Sequence, residues 1–258
     1  MFPFFSLFGI DIPTYGMSIF LGLILGNFFL FLLLKRSSNK YSFDQLILLE
    51  AVSFLGGFIG AKIGHVIIFP EYYFSENASL VEMMDKGFVF YTGLLGGLLF
   101  LLIYKFISND NVIDYLNHFA FIIPFFHAFG RIGCFLSGCC YGVEYSGVLS
   151  VCLHHSPDIQ RFPVQLAESI ILFLLSLFLY HRSKRTDRNN IFYYLLLYGL
   201  ARFILEFLRA DNEKILFSLT ASQLISILII FFSIIFLCQD KIFSYFVIKK
   251  FQRHLKQK

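Results

Sequence analysis

The chain has 258 residues, of which 57% are hydrophobic and only 15% charged, with a net charge of +4. Soluble globular chains run near half apolar and a quarter charged, so this balance argues against a soluble enzyme, a disordered protein and a nucleic-acid binder. It fits an all-α, polytopic membrane protein.

A membrane span needs about 20 mostly apolar residues. Seven stretches qualify, at about 13–34, 45–69, 88–107, 115–135, 164–180, 191–208 and 217–238. Basic residues divide unevenly between the alternate loops. One side receives Lys35, Arg36, Lys40, Lys105, Arg182, Lys184, Arg185, Arg188 and the six basic residues from Lys241 onward. The other receives Lys86, Arg161, Arg209 and Lys214. The positive-inside rule then predicts the N-terminus outside and the C-terminus in the cytoplasm. The outer loop 70–87 is acidic and aromatic, which suits the membrane interface, and the loop 142–163 carries His154 and His155. No basic residue precedes the first apolar run, so no cleaved signal peptide is expected. The absence of a long-period repeat or a linker predicts a single domain over residues 1–258.

Small residues recur every fourth position at Ser18, Gly22 and Gly26 and again at Gly56, Gly60 and Gly64. Such faces let helix backbones approach closely where lipid supplies no hydrophobic push. Ionisable residues inside spans are costlier and point to function. They are Glu50, Lys62 and His65 in the second span, and His118, His127 and Arg131 in the fourth. Glu168 lies in the fifth, and Arg202 and Glu206 in the sixth, with Arg209 at its end. Arg202, Glu206 and Arg209 share one helical face. Arg131 and Arg202 have no carboxylates of equal number nearby in sequence, so a cavity that both face would bind an anion. A lipid phosphate matches the guanidinium fork. Lys62, near an outer end, is expected to snorkel.

The stretch from His127 to Gly142 holds Gly130, Gly133, Gly138 and Gly142. It is expected to break as a helix and to present backbone N–H groups to a ligand in a polar chamber. Its cysteines are spaced C-x4-C-C, which is no standard zinc pattern, and with only five cysteines in the chain there is no disulfide scaffold. Small packing thiols are the expectation, with no metal and no cofactor, although a soft metal site remains the alternative use of these thiols.

Gly130-Arg-Ile-Gly-Cys-Phe-Leu-Ser-Gly-Cys-Cys-Tyr-Gly142 resembles the signature G-R-x-G-N-F-x-N-x-E-x-x-G of the prolipoprotein diacylglyceryl transferases. Tyr15-Gly16, Gly60-Ala-Lys-Ile-Gly64, Tyr91-Thr-Gly-Leu-Leu-Gly96, Phe162-Pro-Val-Gln-Leu-Ala-Glu168, Tyr198-Gly-Leu-Ala-Arg-Phe-Ile-Leu-Glu-Phe-Leu-Arg209 and Thr220-Ala-Ser-Gln223 resemble further blocks of that family, in order. The resemblance implies a seven-span enzyme of the bacterial cytoplasmic (inner) membrane. It would move the diacylglyceryl group of phosphatidylglycerol to the lipobox cysteine thiol of a prolipoprotein signal peptide. By position, Arg131 would hold the phosphate, and Arg202, braced by Glu206, would stabilise it as it leaves. Tyr15 and Gln165 would line the chamber, Gly142 would permit close approach, and Arg209 would join the substrate-binding set. Tyr91 stands in the catalytic set where the family has His, while Cys134 and Cys139 replace its Asn and Glu. A phenol with an ordinary pKa of about 10 is a poor base near pH 7. Two other functions are compatible with these departures: a non-transferring anionic-lipid binder, or a thiol- or metal-dependent membrane protein.

Overall fold

A computed structural model of the chain describes residues 3–7, 10–36, 42–73, 89–108, 112–154, 156–186 and 188–255, with side chains as far as Gln239. The chain divides into two compact units, Met1–Phe28 with Leu116–Lys258, and Phe29–Tyr115. Five described helices are long and apolar enough to cross a membrane, and a bent helix pair makes a sixth candidate. The protein is therefore a helical, multi-pass membrane protein. Its side chains follow suit: Phe20, Phe28, Phe58 and Leu174 are exposed, while Gln165, Glu168, Glu206 and Gln223 are buried.

Helix α1 (Thr14–Arg36) follows a hairpin of β1 (Phe4–Leu7) and β2 (Ile10–Pro13). In the smaller unit, α2 (Phe43–Ile68) runs antiparallel to α3 (Phe90–Ser108). The glycine face of α2 is the contact. A Cβ on Gly60 would lie 2.8 Å from Gly96 Cα, and one on Gly56 would lie 2.6 Å from Gly96 O. Backbone meets backbone there, so neither side can give way. Gly60→Leu should therefore cost about 3 kcal/mol or more, the upper end for overpacking. A fall in the unfolding midpoint of the detergent-solubilised variant checks this. Lys62 Nζ sits 5.9 Å over the Tyr73 ring, and His65 Nδ1 lies 2.8 Å from Tyr73 Oη. The interfacial loop expected at 70–87 is described only at its start, where Pro70–Tyr72 form a 3-10 turn; residues 74–87, and His155, lie outside the described residues.

The fourth expected span is two helices, α4 (Val112–His118) and α5 (Ile122–Ser137), bent by 64°. The break is stabilised from outside the segment. Ser176 Oγ donates to Phe121 O at 2.8 Å, and Asn190 Nδ2 donates to Asn117 O at 2.9 Å. Asn117 Oδ1 accepts Ile191 N–H at 3.1 Å, which satisfies an orphan donor at the start of α7 (Asn190–Leu205). Pro124 is the third residue of α5, where a missing N–H costs no helical bond.

Helix α6 (Val164–Ser183) lies against α5, with Ser169 Oγ donating to Ala128 O at 3.1 Å. Gly22 and Gly133 mark where α1 meets α5: a Cβ on Gly22 would lie 2.7 Å from Phe129 Cβ, and one on Gly133 would lie 3.0 Å from Tyr15 Cδ2. Both small-residue faces are thus packing faces. The loops between helices hold β3 (Val151–Leu153) with β4 (Ser156–Arg161), and β5 (Lys214–Leu216) with β6 (Leu219–Thr220). The last span starts at Ala221 rather than 217, because Phe217 and Ser218 take positive φ (50° and 61°) and form the two-residue turn of the second pair. Helix α8 then runs from Ala221 to Leu255.

Candidate active site

Six charged side chains form one alternating chain across α5, α6, α7 and the loop beyond it. Arg131 Nε lies 3.1 Å from Glu168 Oε1, and Arg202 Nη1 lies 3.7 Å from Glu168 Oε2. Arg202 Nη2 lies 2.8 Å from Glu206 Oε2, and Arg209 Nε lies 3.9 Å from the same oxygen. Arg209 finally grips Asp211 with two hydrogen bonds, Nε to Oδ1 at 2.9 Å and Nη2 to Oδ2 at 2.6 Å. Burial alone would lower the Arg209 pKa, but hydrogen bonding to Asp211 holds it above the ordinary range. The two arginines expected to converge do converge. They meet across Glu168, a carboxylate that the sequence shows near neither of them. Glu168 stands on α6, far from both in sequence, which is why the local pattern hides the pairing.

The shared face of Arg202, Glu206 and Arg209 is present only in part. Helix α7 ends at Leu205 and tightens into a 3-10 turn over Glu206–Leu208. Arg209 is then extended, at φ −97° and ψ 145°, and turns to Asp211. Glu206 is held from its other oxygen too. Oε1 accepts Thr220 Oγ1–H and Asn212 Nδ2–H, both at 2.6 Å. Thr220 and Gln223 form a capping box on α8: Gln223 N donates to Thr220 Oγ1 at 3.3 Å, and Thr220 N donates to Gln223 Oε1 at 3.0 Å. One hydroxyl thus caps a helix and braces a carboxylate. Thr220→Val removes both contacts and should cost about 2–4 kcal/mol, whereas Thr220→Ser keeps them. Unfolding midpoints of the two variants in detergent compare these outcomes.

Tyr198 Oη donates to Glu168 Oε1 at 2.9 Å and lies 3.5 Å from His127 Nε2. Arg202 Nη2 also donates to Ser222 Oγ at 3.0 Å. Arg131 Nε and Arg202 Nη1 are buried, and each meets Glu168 as an ion pair without an aligned hydrogen bond. Glu168, Tyr198, Thr220 and Ser222 join the site beyond the residues that the sequence predicts for it. For Glu168 the signal was present, as a lone carboxylate inside a span.

The other expected site residues fall as follows. Gln165 is buried and donates from Nε2 to Cys139 O at 2.7 Å, pinning the loop after α5. Tyr15 is half exposed at the start of α1, within electrostatic reach of Arg131 and the thiols. Gly142 does permit a close approach, but of the protein's own backbone. A Cβ there would lie 3.0 Å from Leu208 O and would also strike Phe162 O, where Val143 N donates to Leu208 O and Phe162 N to Val143 O, each at 3.0 Å. The Tyr91 side chain lies outside the described residues. The glycine-rich stretch does not break within: α5 continues through Gly130 and Gly133 and ends at Gly138, whose φ is 79°. The N–H groups of Gly138 and Cys139 go to Phe135 O and Cys134 O, capping the helix rather than facing a ligand. Beyond that cap the Sγ atoms of Cys134, Cys139 and Cys140 lie within 4.8 Å of one another.

A family model described as "Prolipoprotein diacylglyceryl transferase" matches residues 3–239. The chain is 33% identical over 237 residues to a protein of Clostridium tetani (strain Massachusetts / E88) named phosphatidylglycerol–prolipoprotein diacylglyceryl transferase, covering 89% of this chain and 94% of that one. It is 30% identical over 232 residues to phosphatidylglycerol–prolipoprotein diacylglyceryl transferase 2 of Clostridium perfringens (strain 13 / Type A), covering 87% and 90%. A Clostridioides difficile (strain 630) protein of the same name is 30% identical over 226 residues, covering 87% and 89%. The motifs carrying Arg131, Glu168, Arg202 and Glu206, the helical membrane fold and the match across most of the chain lead to one conclusion: this chain belongs to the prolipoprotein diacylglyceryl transferase family.

Proposed function

We propose that this protein transfers the diacylglyceryl group of phosphatidylglycerol to the lipobox cysteine thiol of prolipoprotein signal peptides. It does so in the bacterial cytoplasmic membrane, as a single domain of seven spans with its N-terminus outside and its C-terminus in the cytoplasm. The thiolate sulfur attacks the glyceryl carbon that carries the phosphate. A thioether C–S bond forms, the C–O bond to phosphate breaks, and glycerol phosphate leaves with the electron pair.

The observation that carries this reading is the meeting of two guanidinium groups, from α5 and α7, inside the protein. Charge builds on phosphate oxygens as the C–O bond breaks, and preorganised donors there lower the barrier. Arg131 and Arg202 hold their positive charge at one buried carboxylate, Glu168, so both guanidinium groups are fixed before an oxyanion arrives. Arg131 binds the phosphate, Arg202 stabilises it as it leaves, and Glu206 fixes the Arg202 fork. Arg209 and Tyr15 shape the surface on which the lipid lies, while Gln165 and Gly142 hold the loop after α5 beneath it. By the family resemblance alone, Tyr91 belongs to the catalytic set, at the position where the family has His.

Complementation tests the reading. In cells depleted of their own transferase, the wild-type chain should restore lipid-modified lipoproteins and Arg131→Ala should not. Restoration by Arg131→Ala to the wild-type level, at equal abundance, would overturn it.

A further inference from the structure

The thiols of Cys134, Cys139 and Cys140 come from a spacing that suggests packing, yet folding gathers them. Gly138 ends α5 in the left-handed region, and Cys140 is left-handed too, at φ 60°. An L residue adopts that backbone at a cost, and where it persists the surroundings hold it there. Gln165 pins the turn through Cys139 O. All three Sγ atoms then lie within 4.8 Å of one another. Zinc–sulfur bonds of about 2.3 Å place tetrahedral sulfurs about 3.8 Å apart, so only a small contraction is needed. Cys139 is exposed, which supplies an entry path, while Cys134 is buried.

We propose that Cys134, Cys139 and Cys140 together bind a soft divalent cation of the zinc class, leaving a fourth position open to the sulfur of the thiol substrate. Three protein ligands and an open position are the pattern of catalytic rather than structural zinc. Three thiolates around a divalent ion carry one net negative charge, and Arg131, three residues before Cys134 on α5, carries the opposite sign. As the S–metal bonds form, each thiol gives its proton to water and no electron changes hands. The substrate thiol does the same on taking the fourth position. It is then held as the thiolate that alkylation needs, a task for which a tyrosine phenol of ordinary pKa is poorly suited. The fourth-position assignment rests on the transferase reading; the three-thiol site does not.

The test uses the full chain in detergent, stripped by chelator and titrated with Co2+ as the spectroscopic probe. A single equivalent should bind per chain with sulfur-to-cobalt charge-transfer absorption, and Zn2+ should displace it. Cys139→Ser, at the exposed ligand, and Cys134→Ser should lose the band, while Cys152→Ser and Cys238→Ser keep it. A lipobox peptide should strengthen the band, and the same peptide with serine for cysteine should not. A folded wild-type chain with no band, or a band unchanged in Cys139→Ser, would overturn the site. A band indifferent to the cysteine peptide, or equal thioether formation by stripped and loaded protein, would overturn the fourth-position role. Loaded protein that binds cobalt through sulfur yet makes no thioether would instead count against the transferase reading, leaving the metal site standing.

Discussion

Glu168→Gln should destabilise the protein by about 3–5 kcal/mol, the usual cost of removing one partner from a buried ion pair. Glu168 is 2% exposed and sits between two guanidinium groups, at 3.1 and 3.7 Å. Glutamine keeps the volume and an acceptor for Tyr198, which donates to Oε1 at 2.9 Å. It removes the only charge that separates Arg131 from Arg202 along the alternating chain. The two cations are then left facing each other with little water to screen them. The same substitution should favour an added phosphate, which takes over the neutralising role. A ligand that binds the folded state better stabilises it more. Phosphatidylglycerol should therefore raise the unfolding midpoint of Glu168→Gln further than that of the wild type. Equal shifts in the two proteins would separate this carboxylate from the lipid site.

Arg202→Lys should lower the transfer rate by roughly 10²–10³-fold, as expected for loss of one preorganised donor at a developing oxyanion. Arg202 bonds to Glu206 and Ser222 from one nitrogen and reaches Glu168 from another. A lysine ammonium is a single point donor and cannot span those partners. The charge survives, so lipid attraction should change less than turnover. Steady-state kinetics on a lipobox peptide should show the loss mainly in kcat, with a smaller change in the KM for lipid. Arg131→Lys should show the opposite balance. A loss confined to KM in Arg202→Lys would reassign that arginine to binding alone.

Much of this architecture follows from short-range sequence features. The spans emerge as apolar runs, and Gly56, Gly60 and Gly64 announce the α2–α3 contact because the spacing of small residues is itself the packing surface. The Arg202–Glu206 pair is legible because four residues make one helical turn. The 64° bend after α4 is not legible, since the residues around it are as apolar as the helices. Its carbonyls are satisfied by Ser176 and Asn190, remote in sequence. For the same reason Glu168 was visible as an intramembrane carboxylate but not as the joint between two arginines. Thr220 shows a capping pattern, yet nothing local says that its hydroxyl also reaches Glu206. The gathering of the cysteines is hidden as well: nothing in C-x4-C-C says that a left-handed turn at Gly138 brings the three thiols within 4.8 Å of one another.

Purified protein reconstituted with acyl-labelled phosphatidylglycerol and a lipobox peptide gives the most direct measurement. The account predicts a labelled thioether on the peptide cysteine from the wild-type chain and at most trace product from folded Arg131→Ala and Arg202→Ala. Wild-type yields from both arginine variants would contradict it.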